Sequence, residues 1–313
     1  MVLGPTGAGK SELGLVLAQA FAGEIVSCDS IQVYRGLEVG CAKLPPAERC
    51  GICHHLIDII DLDQDLTAGC YSRLAREVIS AIQLRGRLPI IVGGTGFYLR
   101  ALLEGLSPAP VRDVNLRSRL GNLARRRPSA LHRFLRRLDV EAAARIHPND
   151  HQKLIRAIEM TWLARQPATT LQNRPRDSMR DVHTLKIGLN PNRSALYRHL
   201  DERSTWIFQN GLLAETQAAL NSGLSPQAKP LGSLGYKQAV KFLTGQVSIE
   251  TAIQEYQTKT RQYAKRQLTW FRSDRDVQWL HAFGRDEPVR KAAIELTREF
   301  LNSVDRPWTE SNG

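Results

Sequence analysis

The sequence lacks any long apolar run. None of its 313 residues belongs to an apolar stretch that approaches the roughly 18 residues needed to cross a bilayer, so we expect no membrane-spanning segment. Because the sequence begins at a glycine-rich loop, we expect no secretion signal. It has only five cysteines, an odd number, which without export signals indicates reduced thiols in a cytoplasmic protein.

Acidic residues are also scarce. The chain has 31 aspartates and glutamates against 43 lysines and arginines, a net charge of +12. Such an excess is unusual for an enzyme of small metabolites and favours a polyanionic partner, either nucleic acid or an anionic membrane. The length and a hydrophobic content of 42% allow one large domain or two modest ones.

A phosphate-binding pattern stands at the start of the chain. Residues Gly4, Pro5, Thr6, Gly7, Ala8, Gly9, Lys10 and Ser11 match G-x-x-x-x-G-K-[ST], with an apolar pair before them and a helical pattern after them. Loop amides and the start of a helix favour anions, Lys10 can reach the outer phosphate oxygens, and the Ser11 hydroxyl can bind Mg²⁺. The pattern predicts a diphosphate ligand but leaves its chemical fate open.

Two further segments are expected beside this loop. An apolar strand over 24–28 ends at Asp29, and a second over 88–92 ends in the glycine-rich turn of Gly93 and Gly94. Ligands bind beyond the carboxyl ends of parallel strands, so both segments should open toward the diphosphate. Asp29 fits a general base, a water-mediated helper of Mg²⁺ or a plain helix cap, and the residues alone do not choose among them.

The same patterns divide the rest of the chain. They predict a third strand over 56–60, an amphipathic helix over 68–85, a strand over 184–189, helices over 194–220 and 248–272, a strand over 277–280 and a helix over 288–301. Between them, residues 113–182 form an arginine-rich helical segment with few acidic residues, a surface suited to phosphate backbones. We interpret this segment as a helical insertion into an α/β domain.

Cys50, Cys53 and His54 spell a short motif that is typical of c-type haem attachment or half a zinc site. Haem attachment belongs to exported proteins, and no second ligand pair follows at zinc-finger spacing. We interpret the motif as an accident of composition.

Taken together, the motifs resemble a known family. The phosphate loop is followed in order by Asp-Ser-x-Gln-x-Tyr-Arg-Gly from residue 29, His-His-Leu-Ile-Asp from 54, Gly-Gly-Thr-Gly-x-Tyr from 93, His-Pro-Asn-Asp from 147, Gly-Tyr-Lys from 235 and Lys-Arg-Gln-x-Thr-Trp-Phe-Arg from 265. This ordered set, which covers nearly the whole chain, resembles the tRNA dimethylallyltransferases, or tRNA isopentenyltransferases, of bacterial type.

The resemblance implies a fold and a reaction. The fold would be a parallel α/β sheet like that of the P-loop NTPases, flanked by helices, with residues 1–112 and 183–313 as its core and helical carboxyl-terminal part, and 113–182 as an all-helical, tRNA-binding insertion. The enzyme would transfer a dimethylallyl group from dimethylallyl diphosphate to N6 of the adenosine beside the anticodon, with Mg²⁺. A monomer that binds one anticodon stem-loop, with no membrane partner, is the simplest expectation.

The resemblance also implies roles for individual residues. Asp29 would be the general base, with Lys10 and Thr6 in the catalytic set, and the loop from Gly4 to Ser11 would hold the diphosphate as a leaving group. The remaining positions would contact tRNA: Asp29, Ser30, Ile31, Gln32, Thr95, Arg117, Gln152, Lys153, Leu154, Ile155, Arg156, Gly232, Ser233, Leu234, Gly235, Tyr236, Lys237, Lys265, Arg266, Gln267, Leu268, Thr269, Trp270, Phe271 and Arg272.

Two alternatives remain from the residues themselves. A small-molecule kinase is favoured by the phosphate loop, but it expects a strand that ends in a Mg²⁺-holding aspartate, whereas the strand before Gly93 ends in glycines and Thr95. A non-catalytic RNA-binding protein would explain the charge, but it gives no reason for an intact phosphate loop together with Asp29.

Overall fold

In the computed structural model, which describes residues 1–179 and 182–304, six parallel strands form one sheet in the order β3-β2-β4-β1-β5-β6. The strands are β1 (Val2–Leu3), β2 (Gly23–Cys28), β3 (His54–His55), β4 (Leu88–Gly93), β5 (Lys186–Leu189) and β6 (Val277–Leu280). The parallel sheet flanked by helices confirms the predicted fold class, and the strand over 277–280 is confirmed at both ends.

Helices connect and cover these strands. They are α1 (Lys10–Ala20), α2 (Ala68–Leu84), α3 (Gly96–Leu103), α4 (Val114–Arg126), α5 (Ala130–Leu138), α6 (Val140–Arg145), α7 (His151–Ala164), α8 (Ala168–Gln172), α9 (Arg193–Ile207), α10 (Leu213–Asn221), α11 (Tyr236–Leu243), α12 (Ile249–Phe271) and α13 (Glu287–Val304). Leu13 and Leu17 of α1 and Val289 of α13 pack with Ile25 and Ile90 of the sheet in one buried cluster. This apolar packing holds the helix that follows the phosphate loop against the centre of the sheet.

The chain forms two compact units. The larger contains Met1–Leu102 and the described residues from 182 onward, and the smaller is Leu103–Met179. Residues 103–112, which the sequence predicts to belong to the sheet domain, thus lie in the smaller unit. Arg180 and Asp181 of the predicted insertion, and residues 305–313 of the predicted core, lie outside the described residues.

The smaller unit has its own core and a high positive charge. Leu131, Leu135, Leu154 and Ile158 are buried together in it. Its 77 residues contain 15 arginines and lysines against 7 aspartates and glutamates, which is +8 of the +12 carried by the whole chain. A quarter of the chain therefore carries two thirds of the excess charge.

The strand predicted over 56–60 is wrong. The third strand is His54–His55, which pairs with β2, and the chain then leaves strand conformation because Leu56 and Asp58 have positive φ angles of 61° and 56°. The Asp58 carboxylate turns toward the buried Lys43 ammonium and forms an ion pair with it. Compensation of a buried charge has outweighed the apolar pattern here.

The single helix predicted over 194–220 is also wrong. It is divided by a π-turn at Phe208–Leu212, in which Gly211 has a φ angle of 142°. A Cβ at Gly211 would lie 2.9 Å from the side chain of Val39, so the glycine permits a close approach as well as the turn. The bend gives α10 a direction different from that of α9, and Glu215 of α10 then accepts hydrogen bonds from the backbone of residues 38–40.

Candidate active site

The phosphate loop, Asp29 and the turn at Gly93 meet at one edge of the sheet. The loop follows β1, Asp29 follows β2 and the turn ends β4, so all three lie at carboxyl ends of parallel strands. The first residue of α1 is Lys10, and its N-cap, Gly9, supplies no side-chain cap. The amide groups at the start of this helix are therefore left for an anion, as the sequence pattern predicts.

Lys10 is the principal cation of the loop. Its Nζ donates a hydrogen bond of 2.7 Å to the carbonyl of Pro5 in the same loop. Burial lowers the pKa of Lys10 to about 8, an effect that the neighbouring carboxylate of Asp29 opposes and the positive charge of Arg203 reinforces. An anion bound in the loop would stabilise the charged form of this lysine.

Asp29 is held by the turn that follows it. Its Oδ1 accepts hydrogen bonds from the backbone N–H groups of Ile31, at 2.8 Å, and Gln32, at 3.2 Å. No hydrogen bond to its Oδ2 is present among the described residues. The carboxylate is thus oriented by one oxygen, and the other can meet a substrate proton.

A cavity of about 330 Å³ lies beside the phosphate loop and Asp29. Thr6 of the phosphate loop, Asp29 and Arg203 all line it. Its other walls are Ser30, Ile31, Gly40, Cys41, Ala42, Leu200, Ser204, Ile207, Ser233, Leu234, Tyr256, Thr260, Tyr263 and Arg266. The cavity has room for a small apolar group beside Thr6 of the phosphate loop and the carboxylate of Asp29.

Sequence reasoning missed several of these walls. Arg203 and Ser204 come from α9, and Tyr256, Thr260 and Tyr263 come from one face of α12. Burial raises the pKa of Tyr256 to about 12 and raises that of Tyr263 as well, so both hydroxyls stay protonated near neutral pH. The i, i+4 and i+7 spacing of these three α12 residues marks a helix face, but without the fold nothing indicates what that face meets.

Six predicted tRNA-contact residues are brought to the cavity. They are Asp29, Ser30, Ile31, Ser233, Leu234 and Arg266. Arg266 also lies 5.8 Å over the ring of Tyr263, in cation–π contact with another wall of the cavity. The side chain of Gln32 instead donates to the carbonyls of Cys41 and Ala42, at 3.3 and 3.4 Å.

Four predicted tRNA-contact side chains point into the protein interior. Leu154, Tyr236, Gln267 and Phe271 are at most 7% exposed, so these side chains offer little surface for tRNA and pack within the protein. Gln267 shows that role directly. Its Oε1 accepts from the Thr6 N–H at 2.8 Å and its Nε2 donates to the Gly94 carbonyl at 2.9 Å, so it joins the phosphate loop to the second glycine turn.

The other predicted positions, apart from Gly235, are at or near the surface. Gly232, Lys237, Lys265, Thr269, Trp270 and Arg272 are exposed, and Thr95 and Leu268 are half-buried. Gly235 is buried, with a φ angle of 88°, at the start of α11. Trp270 is 42% exposed and packs against Gly96, where a Cβ would lie 2.3 Å from the indole nitrogen.

In the smaller unit, two predicted tRNA contacts are arginines tied to a buried carboxylate. Glu159 is fully buried and pairs with Arg117 at 3.1 Å and with Arg156 at 2.6 Å. Both arginines therefore stabilise this unit whatever else they contact. Gln152 and Lys153 are exposed and Ile155 is half-buried on the same helix, α7.

Most of the chain is similar to known enzymes. A model of the IPP transferase family matches residues 32–274. The tRNA dimethylallyltransferase of Solibacter usitatus is 52% identical over 300 residues, which cover 96% of this chain and 98% of that protein. The chain belongs to the tRNA dimethylallyltransferase family.

Solved structures of this family have the same fold. The tRNA isopentenylpyrophosphate transferase of Bacillus halodurans is 33% identical, with a TM-score of 0.71 over 96% of each chain. A eukaryotic dimethylallyltransferase, solved in snapshots of its action on tRNA, is 27% identical with a TM-score of 0.80, over 99% of this chain and 80% of its own. Family membership confirms the predicted enzyme class, and neither the kinase nor the non-catalytic RNA-binding alternative is supported.

The sequence predicts no membrane span and no metal site at Cys50 and Cys53. None of the helices in the described residues is long and apolar enough to span a bilayer. Within residues 1–179 and 182–304, no group of three or more histidine, cysteine, aspartate or glutamate side chains is arranged to hold a metal ion. Cys50 and Cys53 are exposed free thiols, and the His54 Nδ1 lies 2.9 Å from the Ile52 carbonyl.

Proposed function

We propose that this protein transfers the dimethylallyl group of dimethylallyl diphosphate to N6 of the adenosine next to the anticodon in tRNA, and releases diphosphate. The observation that carries the proposal is the cavity that Thr6, Asp29 and Arg203 line together. One side of this cavity offers an anion-binding loop and the other offers a proton acceptor. Family membership supports the same reaction and makes tRNA the expected acceptor.

The loop would bind the leaving group. As the bond between C1 of the dimethylallyl group and its oxygen breaks, the electron pair moves onto diphosphate, whose growing charge must be stabilised. The amides at the start of α1, Lys10 and Arg203 are the groups of this chain suited to that task. Lys10 would exchange its hydrogen bond with the Pro5 carbonyl for one with the diphosphate.

Asp29 would act on the nucleophile. The amino lone pair of adenine is delocalised into the ring, so N6 attacks C1 poorly unless its proton can leave. With Oδ1 held by two backbone N–H groups, Oδ2 of Asp29 would accept that proton as the new C–N bond forms. General-base assistance of this kind contributes about 10²–10⁴ in rate. The target base must leave the stack of the anticodon loop to reach it.

Mg²⁺ would be held mainly by the phosphate oxygens of dimethylallyl diphosphate. Magnesium commonly uses one or two protein ligands together with phosphate oxygens and water, so the absence of a multi-carboxylate cluster in the described residues is consistent with it. The Ser11 hydroxyl, exposed in the first turn of α1, is the residue of the loop suited to bind the ion. The ion would neutralise charge on the departing diphosphate.

The smaller unit would supply much of the attraction for tRNA. Its net charge of +8 includes arginines that are exposed: Arg112, Arg119, Arg125, Arg126, Arg127, Arg133, Arg136 and Arg137. We further propose that a monomer binds one anticodon stem-loop and that the enzyme works in the cytoplasm, where its tRNA substrate is made.

An Asp29→Asn variant tests the mechanism. Asparagine keeps the size and the acceptor oxygen for the turn but cannot take up the proton, so turnover should fall by about 10²–10⁴ while pyrophosphate and tRNA still bind. Asp61→Asn is a matched control, because Asp61 pairs with Arg35 at the surface outside the cavity. If Asp29→Asn kept wild-type turnover of dimethylallyl diphosphate, Asp29 would not be the base.

A further inference from the structure

Glu215 of α10 makes four hydrogen bonds near the cavity without lining it. Its Oε1 accepts from the backbone N–H groups of Glu38, at 2.8 Å, and Val39, at 2.5 Å. Its Oε2 accepts from the N–H of Gly40, at 3.0 Å, and from the hydroxyl of Tyr236, at 2.8 Å. One carboxylate thus satisfies three consecutive backbone donors of a loop and one buried tyrosine.

The local backbone is shaped to bring these groups together. The π-turn before α10 lets Gly211 approach Val39, and α10 then begins so that Glu215 reaches the loop amides. Gly40 lies directly on Tyr236, because a Cβ at Gly40 would be 2.4 Å from the Cζ of that ring. Tyr236 is itself fully buried. Neither Gly211 nor Gly40 could carry a larger side chain without moving the loop or the helix.

The loop held in this way is a wall of the cavity. Gly40, Cys41 and Ala42 line it, and the carbonyls of Cys41 and Ala42 accept hydrogen bonds from the Gln32 side chain. The backbone N–H of Gln32 in turn donates to Oδ1 of Asp29. A continuous set of hydrogen bonds therefore runs from Glu215 through the loop and Gln32 to Asp29.

A second wall depends on the same carboxylate. Tyr236 is the first residue of α11, and Ser233 and Leu234, three and two positions before it, line the cavity. The Tyr236 hydroxyl joins this segment to Glu215. Glu215 therefore ties together two cavity walls that come from sequence positions nearly 200 residues apart.

We propose that Glu215 is a positioning residue of the transfer reaction, which holds the 40–42 and 233–234 walls so that the acceptor base and the dimethylallyl carbon meet beside Asp29. This inference rests on the proposed function. Glu215 does not line the cavity, so it would touch neither substrate. Its contribution is to alignment, and a misplacement of about 1 Å at reacting atoms can cost about 10²-fold in rate.

The test compares Glu215→Gln and Tyr236→Phe with a matched control. Glutamine keeps one acceptor oxygen but turns an amide group toward the N–H of Gly40, whereas phenylalanine removes one of the four hydrogen bonds and keeps the ring. The control is Glu24→Gln. Glu24 is also buried and binds His55 at 2.6 Å and Arg85 at 2.7 Å, but it lies near the start of β2, at the opposite edge of the sheet.

For each variant, kcat and KM for tRNA and for dimethylallyl diphosphate are measured together with pyrophosphate binding and thermal unfolding. We expect Glu215→Gln to lower kcat about 10- to 100-fold and raise KM for tRNA, with pyrophosphate affinity within about twofold of wild type, since the phosphate loop is outside the network. Tyr236→Phe should show a smaller loss in the same direction. Glu24→Gln should keep wild-type kcat wherever it is folded.

Three results would overturn the inference. Wild-type kcat and KM for Glu215→Gln would show that the walls do not depend on it. A loss of turnover in step with lost pyrophosphate binding and lower thermal stability would show a purely structural role. A wild-type protein that bound pyrophosphate but transferred nothing to tRNA would overturn the proposed function and the inference with it, whereas an active wild type with an unaffected Glu215→Gln would overturn the inference alone.

Discussion

Gln267 offers the sharpest test of how the active site is assembled. Its carboxamide accepts from the Thr6 N–H at 2.8 Å and donates to the Gly94 carbonyl at 2.9 Å, and it is the only side chain among the described residues that hydrogen-bonds to both glycine-rich loops. Gln267→Leu removes both hydrogen bonds while keeping a side chain of similar size. The variant therefore distinguishes the effect of these two hydrogen bonds from the effect of the packing of α12.

The expected loss of stability follows from the two backbone groups that the variant leaves without a hydrogen-bond partner. A buried donor or acceptor that loses its partner costs about 1–3 kcal/mol, so the free energy of unfolding should fall by roughly 4 kcal/mol for the Thr6 N–H and the Gly94 carbonyl together. In a folding unit of this size, about 1 kcal/mol corresponds to about 2–4 °C, which predicts a fall in Tm of about 8–16 °C. The phosphate loop should also lose its fixed position and bind pyrophosphate more weakly.

The assay is thermal unfolding together with a pyrophosphate titration. Gln257→Leu is the control, because Gln257 lies on the same helix and donates to Thr205 at 3.1 Å and to the Asp201 carbonyl at 3.3 Å, away from both loops. It should lose less stability and keep its pyrophosphate affinity. A Gln267→Leu variant with wild-type Tm and wild-type pyrophosphate affinity would refute the reasoning, and a loss of tRNA affinity alone would restore the sequence-based role as a tRNA contact.

Three further predictions concern the loop and the charged surface. Because burial lowers the pKa of Lys10 to about 8, raising the pH from 7 to 9 should neutralise Lys10 in the free protein and weaken pyrophosphate binding by up to about tenfold per pH unit above 8. Calorimetry should show that the protein takes up a proton when pyrophosphate binds, and the same affinity at both pH values would contradict this prediction. Gly284→Ala should weaken pyrophosphate binding, since its Cβ would lie 2.1 Å from the Gly9 carbonyl oxygen. Gly121→Ala, with open space around it, should not, and equal affinities of the two variants would count against a role for the contact between Gly284 and Gly9. The affinity for tRNA should fall with salt, with a slope of log affinity against log salt of about −3 if four phosphates are neutralised, and a flat response would exclude the arginine surface as the source of binding.

The local parts of the site could be predicted from the sequence. The phosphate loop and Asp29 each follow a short apolar strand, and the rule that ligands bind beyond the carboxyl ends of parallel strands brings both to one edge. This reasoning needs only the pattern of neighbouring residues and the general geometry of parallel sheets. The strand at Val277–Leu280 likewise has the predicted bounds, because its local sequence pattern is enough to mark it.

The parts that depend on distant contacts could not be predicted. Arg203 and Glu215 sit on helices whose sequences show only ordinary amphipathic patterns, and their roles appear when the π-turn at Phe208–Leu212 directs the two helices. Gln267 stands in a basic, aromatic run that suggests nucleic acid, yet its side chain points inward. The positive φ angles of Leu56 and Asp58 likewise depend on the buried Lys43, which no local pattern marks.

In the proposed reaction, the phosphate loop holds a leaving diphosphate while Asp29 assists attack by tRNA. The most direct measurement is to incubate the purified protein with unmodified tRNA, Mg²⁺ and dimethylallyl diphosphate labelled in its dimethylallyl group, and to follow label in the tRNA. We predict that label enters the tRNA with the wild-type protein and that Asp29→Asn slows this transfer by about 10²–10⁴. No label in tRNA with the wild-type protein would contradict the proposed reaction.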